Sequence, residues 1–154
     1  TLKDRIAGGA PLHEALKEVA EDEGPAPLAA MQDDISKHFA KGSVSEILAS
    51  LRADGGEWAA KTAETIETKS PTSTLVAFRQ VREGAKLDFE ECMKLEFRLI
   101  NGFIKGHDFY EGVRAVVIDK DQAPKWKPAA LAEMKAGDVD SYFAPLGAGE
   151  LTFD

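Results

Sequence analysis

Three times along the chain a short polar residue stands three places ahead of a glutamate at the head of an apolar stripe: Ser43 with Glu46, Asp88 with Glu91, and Asp108 with Glu111. At that spacing an N-cap side chain and an N3 carboxylate satisfy each other's orphan backbone N–H groups, so each pair marks a helix start. The stops are as regular. Gly42, Asp54-Gly55-Gly56, Gly84 and Gly106 follow the stripes, where a left-handed residue closes a helix. Pro11 and Pro71 sit where a first helical residue is expected, since proline has no N–H to leave unpaired there. Between these signals apolar residues recur at three and four, and no segment alternates with the period of two that a half-buried strand needs. The spacing predicts an all-α chain with about seven or eight helices.

The stripes themselves set expectations for packing. Leu12, Leu16 and Val19 follow Pro11, and Glu21-Asp22-Glu23 with Gly24-Pro25-Ala26-Pro27 break that helix. Leu28, Met31, Ile35 and Phe39 form a second stripe; Ile47, Leu48 and Leu51 a third; Trp58, Thr62 and Ile66 a fourth; Leu75, Phe78 and Val81 a fifth. The helix opened by Asp88 carries Phe89, Met93, Phe97, Ile100 and Ile104, with Leu95, Leu99 and Phe103 beside them. Apolar residues on more than half its circumference predict a central helix packed on two sides. The helix opened by Asp108 is expected to bury Phe109, Val113, Val116 and Val117, although the β-branched Val116-Val117-Ile118 also reads as a short strand. Short helices are expected near residues 129–135 and 139–143. Trp58, Phe78, Phe97 and Phe103 are the expected core aromatics. The proline seam at residues 25–27 is too short a linker to argue for two domains.

The chemistry carried by these residues is sparse. A net charge of −8 and a pI near 4.9 argue against a nucleic-acid partner. No apolar run approaches the roughly 18 residues of a membrane span, and no secretory signal pattern is present, so no membrane partner and no secretion are expected. The chain begins at Thr1, which suggests a processed product or a piece of something longer. Cys92 is the sole cysteine and no Cys/His metal spacing occurs, so no metal site is expected. Cys92 itself reads as a buried, inert thiol among apolar neighbours. His13 reads as solvated and His38 as a cation at a helix end. His107 beside Asp108 and Glu111 suggests acid–base work, but a helix cap already explains both carboxylates. Asp119-Lys120-Asp121-Gln122 resembles a calcium loop only superficially, for the ligand ladder and final Glu are lacking. Lys120, Lys125 and Lys127 surround Trp126 on an otherwise acidic chain. Such a cluster can hold a nucleotide phosphate by charge and an adenine by stacking; the plainer reading, surface lysines around an anchoring tryptophan, is favoured because single tryptophans mostly pack.

Several stretches carry a family resemblance. Lys69-Ser70-Pro71-Thr72-Ser73, the run GHDFYEGVRAVVIDKDQAPKWKPA from Gly106, Tyr142-Phe143-Ala144-Pro145-Leu146 and Glu150-Leu151-Thr152-Phe153 are similar to the C-terminal portion of the 3-hydroxyisobutyryl-CoA hydrolases, within the crotonase, or enoyl-CoA hydratase/isomerase, superfamily. Glu96 and Arg98 fit it also. The resemblance is strong over residues 69–153 and looser over 1–68, where Gly24-Pro25-Ala26-Pro27-Leu28 and Asp54-Gly55-Gly56-Glu57-Trp58-Ala59 carry it. It implies that residues 1–154 are one helical C-terminal region of an acyl-CoA enzyme that lacks the ββα spiral core. That core would bind the acyl-CoA and cleave its thioester with an oxyanion hole and a carboxylate, a valine-catabolic step. The resemblance maps no catalytic residue here. It assigns Lys120 to the CoA phosphates or adenine, with Trp126 and Lys127 beside it. It implies no cofactor beyond the CoA thioester substrate, and as partners the acyl-CoA, a separate N-terminal catalytic domain and a possible second copy. The compartment would be mitochondrial in a eukaryote and cytoplasmic in a bacterium. A hydratase/isomerase portion and a non-catalytic helical interaction module are the alternatives. The fragment reading expects an exposed apolar face on the helix over residues 88–105, where a missing domain would pack.

Overall fold

The computed structural model describes residues 1–20, 24, 26–135 and 137–153. The helices are α1 (Leu2–Ala7), α2 (Leu12–Val19), α3 (Gln32–Phe39), α4 (Val44–Asp54), α5 (Glu57–Glu67), α6 (Pro71–Gly84), α7 (Phe89–Phe103), α8 (His107–Val113) and α9 (Asp140–Phe143). Tighter turns occur at Pro27–Met31, Leu131–Glu133 and Gly147–Gly149, and a π-helical turn at Arg114–Ile118. No strand occurs among the described residues. The chain divides into two units, Thr1–Lys37 and His38–Asp154. The break expected at Glu21-Asp22-Glu23 and Gly24-Pro25-Ala26-Pro27 falls largely outside the described residues.

In the first unit Thr1 Oγ1 accepts the Asp4 N–H while the Asp4 carboxylate takes the Thr1 ammonium at 3.0 Å, which caps α1. This helix of six residues is too short to show a stripe. Pro11 turns out to be the N-cap of α2 rather than its first residue.

In the second unit Ser43 caps α4 by accepting the Glu46 N–H, and Gly55 closes it at φ 76°. The Glu46 carboxylate does not complete the box; it takes the N–H of Gly42, one residue earlier. Asp88 likewise caps α7 at the Glu91 N–H, but Glu91 turns to Lys94. Ser70 caps α6 ahead of Pro71 as expected. One core joins Val44, Ile47, Leu48 and Leu51 of α4 to Ala59 and Ala63 of α5, whose small side chains allow close approach of the two helices. A second core joins Val76 of α6, Leu95 and Leu99 of α7 and Phe143 of α9. Tyr142 packs closely on α7: a Cβ at Gly102 would stand 2.6 Å from its ring, so glycine is required there.

Several expectations need correction. Helix α7 is packed on one side only: Leu95 and Leu99 are buried, while Phe89 (75% exposed), Met93, Ile100 and Ile104 face outward. Those four residues lie on one stripe at helical spacing. Trp58 and Phe78 only flank the first core and Phe103 the second; Phe97 belongs to neither. Helix α8 buries Asp108 rather than Phe109, and Ala115 is buried in place of Val116 and Val117. Val116-Val117-Ile118 is neither α-helix nor strand: the Asp119 N–H donates to the Arg114 carbonyl five residues back, a π-helical closure. The third capping box is absent too. Gly106 is the N-cap of α8, and Asp108 sits within its first turn. Periodicity records which residues share a face but not what lies opposite, and a cap pattern does not say whether a better partner waits elsewhere.

Candidate functional site

The carboxylates that the spacing assigned to a cap instead tie α8 to two distant segments. Ser70 Oγ, already accepting the Ser73 N–H, donates to Asp108 Oδ2 at 2.6 Å in a buried contact. Asp108 Oδ1 accepts the Lys127 N–H at 2.8 Å and lies 3.1 Å from His107 Nδ1. One turn on, Glu111 Oε1 accepts the Lys125 N–H at 2.7 Å. Both Glu111 oxygens also meet the Arg114 guanidinium, at 2.8 and 3.0 Å. Arg114 reaches further, to Asp119 at 2.8 Å, Asp121 at 2.6 Å and the Ala123 carbonyl at 3.2 Å. Residues 119–127 thus form a strap laid along α8. Trp126 anchors it by resting on Gly112, where a Cβ would meet the ring at 3.4 Å, and by donating its indole N–H to the Thr68 carbonyl at 2.9 Å.

The electrostatics follow this geometry. Hydrogen bonds from Arg114, then the Lys125 amide, lower the Glu111 pKa to about 2. Arg114, then the Ala123 amide, holds Asp121 below the usual carboxylate range. The same contacts, Glu111 foremost, push Arg114 up, so it is charged throughout. Asp119 and Asp121 turn inward to the guanidinium, and the residues that follow them, Lys120 (φ 57°) and Gln122 (φ 55°), take the left-handed conformation uncommon for non-glycine residues.

Lys120, Trp126 and Lys127 all lie on this strap, with Lys125. The three lysines are exposed, and among the described residues their ammonium groups form no ion pair. An anion could therefore be met without first breaking a bridge. Trp126 is half-buried and uses its N–H on Thr68, which fits an anchor. Asp119 and Asp121, the first and third positions of the calcium-like stretch, serve Arg114. His13 is exposed near Glu14, and Cys92 is half-buried with its sulfur 3.6 Å from the Gly84 carbonyl. His38, expected as a cation at a helix end, is instead buried: its ring is 1% exposed, 2.9 Å from Ser50 Oγ and 3.4 Å from an Asp54 oxygen, tilted against Trp58. The only local signal was its place beside Phe39 in the apolar stripe. His107 keeps an exposed face while Asp108 orients its ring; both Asp108 oxygens are already engaged in holding α6 and the strap.

The sequence profile of the enoyl-CoA hydratase/isomerase family matches residues 2–143. The chain is 44% identical over 135 residues to the mitochondrial 3-hydroxyisobutyryl-CoA hydrolase of Xenopus laevis, which covers 88% of this chain and 35% of that protein. It is 40% identical over 151 residues to the protein of that name from Bos taurus, covering 98% of this chain and 39% of the relative. The chain thus spans little more than a third of the length of these curated relatives. Among solved structures it is similar to a carnitinyl-CoA dehydratase from Mycobacterium thermoresistibile (TM-score 0.88, 34% identity, 99% of this chain and 44% of that one). It is also similar to an enoyl-CoA hydratase from Rhodobacter sphaeroides (TM-score 0.78, 31% identity, 98% of this chain and 44% of that one). These structures correct the expected fold class, all-α and lacking the ββα spiral core. The helices superpose on a region of crotonase-type enzymes, so helix content describes this region and does not define a separate class. The physical reason is that a helical period reports one element's faces, whereas fold class depends on what those faces pack against. The chain belongs to the enoyl-CoA hydratase/isomerase family.

Proposed function

We propose that this chain is the helical region of a CoA-thioester hydrolase acting on 3-hydroxyisobutyryl-CoA, covering the acyl-CoA and packing on the part of the enzyme that carries the chemistry. The observation that carries this reading is the identity of 40–44% to hydrolases of that name across nearly the whole chain. Two features of the molecule support it. The outward stripe Phe89, Met93, Ile100 and Ile104 of α7 is the kind of apolar face that a neighbouring region covers. The strap offers Lys120 to a CoA phosphate, with the Trp126 ring and Lys127 further along the same strap. Thioester cleavage calls for backbone N–H donors at the developing oxyanion and a carboxylate nucleophile or base. We assign neither to a residue of this chain, and no cofactor enters. The relatives' mitochondrial names support a matrix location if the source is eukaryotic. A hydratase or isomerase is the second reading, favoured by the names of the two solved structures.

The test is release of free thiol from 3-hydroxyisobutyryl-CoA, measured for this chain alone and for a longer chain carrying the remaining length of the hydrolase relatives. Release by the longer chain only is the expected result. Release by this chain alone would overturn the assignment of chemistry elsewhere and make His107 and Asp108 the first residues to replace. Water addition to an enoyl-CoA without thiol release would favour the second reading.

A further inference from the structure

We infer that Arg114 is the positioning residue of the strap: its guanidinium gathers Glu111, Asp119, Asp121 and the Ala123 carbonyl, and so sets where Lys120, Lys125 and Lys127 present their charges. The inference rests on the CoA-binding reading above. The strap has no regular secondary structure, and its lysines are exposed. Its half-buried Trp126 is pinned on Gly112 and Thr68 at the far end, which leaves residues 119–123 to be held by polar contacts. Isolated surface ion pairs contribute little, for each must order two long side chains. Here one planar fork serves three carboxylates and a carbonyl, so a single ordered side chain is shared among all of them. Arginine is the side chain that can do this: its donors are fixed in a plane, whereas lysine offers a point charge on a flexible stem. The Glu111 carboxylate joins the Arg114 cluster to the far half of the strap, holding the guanidinium and the Lys125 amide together. With Asp119 and Asp121 drawn to the same guanidinium, Lys120 at φ 57° is turned away between them. The three acids outnumber Arg114 and turn to it rather than to the lysines, whose ammonium groups form no ion pair among the described residues.

The experiment compares binding of coenzyme A and of dephospho-coenzyme A, which lacks the 3′-phosphate, with hydrogen exchange of the strap amides read in parallel. The proteins are the unaltered chain, Arg114→Gln, Arg114→Lys, Lys120→Ala and the pair Asp119→Asn/Asp121→Asn. The unaltered chain should prefer coenzyme A by about tenfold, equivalent to about 1.4 kcal/mol. Arg114→Gln should lose that preference and exchange the Ala123 and Lys125 amides about tenfold faster, with α4 and α7 unchanged. Arg114→Lys should not rescue it. Lys120→Ala should lose the preference while the strap stays protected, which separates a ligand contact from a positioning role. The Asp119/Asp121 pair leaves the Glu111–Arg114 bridge in place, so it should loosen the strap even where Arg114→Gln fails to fold. Preference retained in both the Arg114→Gln chain and the Asp pair would overturn the positioning role alone. An unaltered chain without preference, its strap protected, would overturn the CoA-binding reading and this inference with it.

Discussion

Glu111 shows how one side chain can be read correctly as helical and wrongly in its role. Its carboxylate is depressed from an ordinary 4.5 to about 2 by Arg114 and the Lys125 amide. A depressed carboxylate stabilises the folded arrangement above its unfolded pKa, and that contribution is lost as pH falls through the folded value. The strap should therefore stay closed from pH 7 to about 5 and open only towards pH 2. Trp126 emission in a Trp58→Phe background would follow it, and a transition centred near 4.5 would contradict the clamp. Gly102 makes a steric case. Alanine there gains helix propensity of about 1 kcal/mol, but its Cβ would stand 2.6 Å from Tyr142. Overpacking should win, with a net loss of about 1–3 kcal/mol in urea unfolding. In a Tyr142→Ala background the same change should become neutral or stabilising. Neither partner was legible in sequence, because Gly102 and Tyr142 are distant along the chain and a glycine inside an apolar helix gives no sign of what rests on it.

Among the elements, the helix starts were the most legible feature and the helix faces the least. Ser43 and Asp88 each cap as their spacing implies, and Ser70 caps just ahead of Pro71, because a cap is settled within three residues. Asp108 follows the same spacing yet serves Ser70, 38 residues away, and the Lys127 amide, 19 away. Both flanking stretches, Lys69–Ser73 in sequence and the GHDF run, stood out in the sequence; their meeting did not. The faces matter for stability. Leu51 is fully enclosed between α4 and α5, so Leu51→Ala should cost about 2–5 kcal/mol. Phe97 is only half-buried and lies outside both cores, so Phe97→Ala should fall below the roughly 3–5 kcal/mol of an enclosed phenylalanine. Chemical denaturation of the two variants side by side checks the ranking, and a larger loss for Phe97 would restore α7 to a two-sided helix.

For the molecule as a whole, the outward stripe of α7 is the feature with the widest consequence. Ile100 and Ile104 are 46% and 41% exposed, so replacing both with glutamate should leave the unfolding free energy within about 1 kcal/mol. The same change should sharply reduce binding of a hydrophobic dye and any concentration-dependent association seen by light scattering. A loss of several kcal/mol instead would mean that the stripe is already covered within the chain. The sequence by itself determined the helical character, most helix starts, the acidic surface and the family, since these depend on residues a turn apart or on whole segments compared in order. Only the tertiary structure decided which side of α7 is covered, that Asp108 and Glu111 clamp a strap rather than cap a helix, and that Arg114 gathers that strap. The first turns on apolar packing and the clamp on partners 14 to 38 residues away; Arg114's partners stand only 3 to 9 residues off, but an irregular strap has no period that encodes which acceptor a donor will find.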